Sequence, residues 1–156
     1  MGRAPSRERH VFLRGTLAQR LRLFAGLVLL LFVVTHLLNH AVGLFGLEAM
    51  EHVQTLRLAV TRSWPGSIAL GLAFLIHVAL ALARLAARRT LRMPAWEAMQ
   101  LASGLLIPLL LIEHVVGTRG ASYFFGADDF YHPVLALIWP QAAMRQIMLV
   151  LLVWSH

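Results

Sequence analysis

The chain contains no cysteine, which excludes disulfides, thiolate ligation of iron–sulfur clusters and the covalent attachment that c-type haem requires. Charge is scarce as well. Asp, Glu, Lys and Arg make up 13% of the residues against 59% that are hydrophobic, and the mean hydropathy is +0.71. So little polar surface does not cover a water-soluble domain, and the fold class expected is an all-α transmembrane helical bundle. Lysine is missing too: all 14 basic residues are arginine, and the formal net charge is +7. Such an excess serves nucleic acid, anionic lipid or membrane topology, and its distribution decides between them. Arg3, Arg7, Arg9, Arg14, Arg20 and Arg22 precede the first apolar run, and Arg84, Arg88, Arg89 and Arg92 follow the second. Clusters that flank apolar runs follow the positive-inside rule. Membrane lipid is therefore an expected partner and nucleic acid is not. The arginine-rich residues 1–22 lack an A-x-A-like cleavage site, so they read as a cytoplasmic lead-in and not as a signal peptide.

From residue 23 to 156 the chain reads as one membrane bundle with its N-terminus cytoplasmic, three full spans and a truncated fourth. The spans are expected at about 23–46, 66–87, 96–116 and 142–156. Between the first two, residues 47–63 carry Met50, Val53, Leu56, Leu58 and Val60 among charges at roughly helical spacing, and are expected to lie along the outer surface. Trp64-Pro65-Gly66 ends that segment, and Pro108 falls near the middle of the third span, where it is expected to kink the helix. Residues 117–141 are apolar in part, but Pro133, Pro140 and Arg145 argue against a span centred there, because it would bury Arg145. The fourth span then starts near Ala142 to Gln146 and reaches His156 after about half the length a span needs. A chain that stops in mid-span is expected to be a fragment of a longer protein.

About eighty spanning residues should hold on the order of one histidine, since a titratable ring in lipid marks function by default. Here five lie inside: His36, His40, His77, His114 and His156. His10, His52 and His132 lie in the lead-in or the outer segments. A haem with two histidine ligands needs one from each of two facing helices at one level. His40 lies about 6 to 9 Å below the outer end of its span, and His114 is a few residues before its own exit, so the two are level. His77 is ten residues after Ser67, and His156 ten after Gln146, which makes a second pair near the middle. His36 lies one turn deeper than His40 on the same face, so either is a candidate ligand. Equal depth favours His40 and leaves the other for a quinone or a haem propionate.

Other readings stay open. Each histidine alone could be an imidazole hydrogen-bonded across helices. His36 and His40 at i, i+4 could grip one transition-metal ion, with Glu113 carrying protons. Di-iron chemistry is disfavoured, because repeated Glu-x-x-His pairs are missing. Thr35, His36, Asn39, His40 and Gly43 share one face of the first helix, where Asn39 or Thr35 is placed to orient a histidine. Arg119, one turn beyond His114, is the candidate partner for propionates. Arg145 reads as an interfacial anchor, and Glu113 as a carboxyl that stays protonated at the interface or takes up protons.

The segments THLLNHAVGLFGLEAM on the first helix, HVVGTRGA closing the third and VWSH on the fourth resemble the dihaem membrane anchors of certain bacterial class III adenylate cyclases. Those anchors are similar in turn to the cytochrome b subunits of succinate dehydrogenase and fumarate reductase. The resemblance covers roughly residues 20 to 156. It implies two b haems per complete chain, sensitivity to the quinone pool, and redox state passed to a fused or associated cytoplasmic cyclase domain. It also implies a multi-pass protein of the bacterial inner membrane, with a homodimer among the expected assemblies. By position, His40 (or His36), His77, His114 and His156 match the haem histidines. The chain departs from the pattern by stopping where those proteins continue into further spans and a catalytic domain. It holds no nucleotide-binding or cyclase motif, so no catalytic residue is expected in it. The alternative is an electron-transferring cytochrome b subunit of a quinone-linked oxidoreductase such as succinate dehydrogenase, with the same haem ligation and a different partner downstream. A third possibility is a bundle without haem.

Overall fold

A computed structural model of the chain describes residues 15–128 and 130–156, the side chains of 137 and 138 apart. Most of the expected lead-in, residues 1–14 with Arg3, Arg7, Arg9, Arg14 and His10, lies outside the described residues. The described elements are helical throughout: α1 Leu17–Val42, a 3-10 turn Gly43–Phe45, α2 Leu47–Thr61, α3 Trp64–Ala86, α4 Ala95–Val115, a π turn Val116–Gly120, α5 Ala121–Phe125, α6 Tyr131–Ile138 and α7 Ala143–Ser155.

Local chemistry sets the ends. α1 starts at Leu17, inside the expected lead-in, because Thr16 and Gln19 form a capping box. Thr16 Oγ1 accepts from the Gln19 amide at 3.3 Å, and Gln19 Oε1 accepts from the Thr16 amide at 2.8 Å. After the 3-10 turn the chain reverses at Gly46, whose φ of +121° is open to glycine and strained for any other residue. Ser63 opens α3 by accepting from the Gly66 amide at 3.2 Å, with Pro65 in the first turn, where its missing N–H costs nothing. Pro108 sits inside α4, and the helix continues through it.

Among the described residues, three helical stretches are long and apolar enough to cross a membrane: Leu17–Phe45, Trp64–Ala86 and Ala95–Phe125, of 29, 23 and 31 residues. The first two agree with the spans read from sequence, apart from the earlier start of α1. The third runs well past its expected end near residue 116. Gly117-Thr118-Arg119-Gly120 looks like a break, but Thr118 Oγ1 donates to the His114 carbonyl at 2.7 Å and the backbone widens into a π turn, so the helix is not interrupted. α7 starts where the sequence places it and has 13 residues, short of the roughly twenty of a full span.

The described residues form two compact units. In the first, residues up to Gly43 join His52–Arg89, and α1 packs along α3; in the second, Leu44–Glu51 join Thr90–His156, and α4 packs along α7. Small side chains line the seams. Ala25 of α1 and Ala73 of α3 are buried in one unit, Ser103 of α4 in the other, while Leu31, Leu75 and Leu109 are 67%, 64% and 64% exposed. Small residues let helix backbones approach, and large apolar groups turned outward suit lipid and not water.

Candidate functional site

In the first unit His77 of α3 lies against Gly26 of α1. A Cβ at Gly26 would stand 3.2 Å from His77 Cε1 and 3.3 Å from Nδ1, so a larger residue would require the ring to give by a few tenths of an ångström. His77 Nδ1 is 3.4 Å from the Arg22 carbonyl, one turn earlier on α1. A carbonyl only accepts, so Nδ1 carries the proton and the lone pair is on Nε2. The contact with Arg22 and Gly26 also sets the depth of His77. It lies level with the first turns of the apolar part of α1, nearer the arginine-flanked end than the middle expected from sequence.

The second unit repeats the device. A Cβ at Gly104 of α4 would stand 2.9 Å from Cε1 of His156 and 3.5 Å from its Nδ1. His156 Nδ1 is 3.0 Å from Oγ of the buried Ser103. Ser103 has one proton and donates it to the Gln100 carbonyl at 3.2 Å. With that proton on the Gln100 carbonyl, Oγ accepts from His156 Nδ1, the tautomer that leaves the lone pair on Nε2. At the other end of the same helix pair, His114 Nδ1 is 3.0 Å from Gln146 Oε1, an acceptor with the same consequence. The neighbours of these two residues pair as well: Arg145 donates to Glu113, with side chains 53% and 62% exposed. The sequence reading treated Arg145 as an anchor and Glu113 as a lone carboxyl. They form one ion pair between α4 and α7, and with His114–Gln146 they fix the register of the two helices.

His36 and His40 are arranged differently. Their Nε2 atoms face each other at 3.3 Å, with rings 4.6 Å apart and inclined at 78°. Phe32, one turn earlier, stacks on His36 at 5.7 Å and 6°. Asn39, beside them and only 1% exposed, donates through Nδ2 to Gln54 Oε1 of α2 at 3.1 Å. Gln54 Oε1 also accepts from Arg57 Nε and Nη2 at 3.2 and 2.6 Å, and the Arg57 guanidinium sits 5.8 Å from the Phe32 centroid. The polar face of α2 thus engages α1, where the sequence reading had considered only its apolar positions along the outer surface. Thr35 Oγ1 donates to the Leu31 and Phe32 carbonyls, at 2.9 Å each. Arg119 lies on the exposed side of the π turn.

Of the residues singled out by sequence, α1 brings His36, Asn39 and His40 together, α3 carries His77, and the α4–α7 pair carries His114 and His156 at opposite ends. Sequence reasoning missed Gly26, Gly104, Ser103, Gln146, Gln54 and Arg57. Only the last two had a signal, since Gln54 and Arg57 are three apart and share one face of an amphipathic helix. Among the described residues, no group of three or more His, Cys, Asp or Glu converges on one metal position. Comparison with protein-family models, with curated proteins and with solved structures finds no match to this chain.

Proposed function

We propose that this chain is the haem-binding membrane part of a quinone-responsive signalling protein, holding two b-type haems through His36 or His40, His77, His114 and His156. One observation carries the reading: His77, His114 and His156 each spend Nδ1 on a protein acceptor. That is the second-shell arrangement of metal-ligating histidine, which fixes the ring and makes Nε2 the ligating atom. The donor set suits the group, since neutral imidazole is a standard axial ligand of low-spin haem and no thiolate competes. When bound, haem would supply a one-electron couple able to follow the redox state of membrane quinone.

Within each unit the histidines stand at two separate levels. Counting along α4 and α7, His114 is level with Gln146 and His156 with Ser103, so the two levels are about 15 Å apart. Along α1, His36 stands ten residues and His40 fourteen from Gly26, the level of His77, or about 15 and 21 Å. Both stand at a level of their own on α1, so either His36 or His40 is the candidate ligand there. A separation of about 15 Å also exceeds what two ligands of one iron span, so each level supplies its own ligand. The arginine clusters support an N-terminus on the cytoplasmic side of the membrane. The resemblance to cyclase anchors supports a cytoplasmic cyclase as the output, with no catalysis by this chain.

The test is the pigment. Chain purified from haem-replete membranes should give reduced-minus-oxidised bands of low-spin b haem at about two per chain. His77→Ala and His156→Ala should each remove one haem and leave the other. A colourless protein with full helical content would overturn the reading.

A further inference from the structure

We propose that His36 and His40 form a binding site for a divalent ion of the Zn2+ class. The measure is the separation of their ring nitrogens. A tetrahedral ion with Zn–N bonds of about 2.0–2.1 Å holds two of its nitrogens about 3.3–3.4 Å apart. Two cis ligands at right angles, as in octahedral or square-planar sites, would stand about 2.9 Å apart at the same bond length. The observed Nε2–Nε2 distance is 3.3 Å. It fits the tetrahedral edge; without metal one Nε2–H donates to the other nitrogen, and an ion binds by displacing that proton.

The surroundings support a ligand at this point. The stacked Phe32 ring holds the plane of His36, and His36 Nδ1 is buried, so Nε2 is the nitrogen that His36 presents. His40 is exposed, one helical turn away, which leaves an approach to the pair. Chemistry then selects the ion. The chain offers two imidazoles and no carboxylate here, since among the described residues no larger group of ligating side chains converges. Water or an anion completes the shell. Imidazole suits Zn2+, Co2+ and Cu2+, whereas Ca2+ and Mg2+ require oxygen ligands. The Arg57 guanidinium lies across Phe32 and is tied to Gln54. Its charge penalises any dication and so discriminates further against ions that bind imidazole weakly. The site stands independently of the haem reading. If that reading also holds, haem takes one of the same two nitrogens, and metal and haem exclude each other at this level.

Co2+ and Zn2+ titrations of the chain in neutral-lipid nanodiscs test this. One Co2+ per chain should bind with the intense visible absorption of a tetrahedral site, and Zn2+ should displace it. His36→Ala and His40→Ala should each weaken binding at least about tenfold, because half of the protein ligands are lost. His52→Ala and His10→Ala should leave it within about twofold. His40→Gln, at an exposed position, serves if His36→Ala fails to fold. Unchanged Co2+ binding in the His36 and His40 variants, or a weak octahedral spectrum in the parent chain, would overturn the proposal. Haem bands with no Co2+ response in haem-free chain would overturn it alone, whereas a normal Co2+ spectrum in a chain that never takes up haem would support it and sink the haem reading.

Discussion

Gly104→Ala isolates the fit between a helix backbone and a histidine ring. The added methyl would stand 2.9 Å from His156 Cε1, whereas carbon atoms rest at about 3.5–4.0 Å. The ring must therefore retreat by about 0.6 Å or more. A retreat of that size along the 3.0 Å bond to Ser103 stretches it to about 3.6 Å, beyond a useful hydrogen bond. Stability changes little, because alanine gains about 1 kcal/mol of helix propensity over glycine while overpacking costs about 1–3 kcal/mol. Ligation is more sensitive: disturbing a second-shell partner typically costs about 10–100-fold in affinity. The assay is haem content and reduced-minus-oxidised spectra at fixed expression, with thermal unfolding followed in parallel. Gly104→Ala should weaken one haem and spare the other. Gly26→Ala, with Cβ contacts of 3.2 and 3.3 Å to His77, should be milder, and Gly71→Ala, which meets nothing within 4 Å, should be neutral. Equal haem content in all three variants would refute the argument that these glycines receive the histidines.

Further expectations concern the other end of α4 and the topology. Gln146→Leu keeps the volume and removes the acceptor of His114, so it should weaken the second haem about 10–100-fold; Gln146→Glu should retain that haem at a lower midpoint potential. A double-mutant cycle over Glu113→Gln and Arg145→Gln, read by thermal unfolding, should give a coupling of about 0–1 kcal/mol, because both groups are more than half exposed. A coupling above about 3 kcal/mol would show that the pair is desolvated. Because the chain has no cysteine, single cysteines placed at Phe45 and at Leu91 can be labelled without background. They should react from opposite sides of the membrane, Leu91 from the cytoplasm, and labelling from one side would contradict the proposed orientation.

The long helices were legible because an apolar run flanked by arginine leaves few alternatives. Sequence placed α3 almost to the residue, since Pro65 and Arg88-Arg89 punctuate it at both ends. The extension of α4 to Phe125 was not legible: Gly117 and Gly120 signal a break, but the backbone passes through them as a π turn. The histidines stood out by their rarity, but what holds them did not. Gly26, Gly104 and Ser103 are ordinary residues of membrane helices, and their role depends on which helix packs on which. Glu113 and Arg145 were each read alone, because 32 residues separate them and nothing local links them. The choice between His36 and His40 turned on depth measured from assumed span ends.

The acceptors on His77, His114 and His156 bear on how the protein would mature. Ring plane and proton position are set by a backbone carbonyl, a serine and a glutamine, all of which belong to the folded helix pairs and none to a cofactor. The entropy of orienting these imidazoles is thus lost when the helices pack, before any ligand arrives. On the proposed function, haem would dock onto finished helix pairs without a coupled folding step, and the chain without haem should match the loaded one in helical content and in resistance to proteolysis.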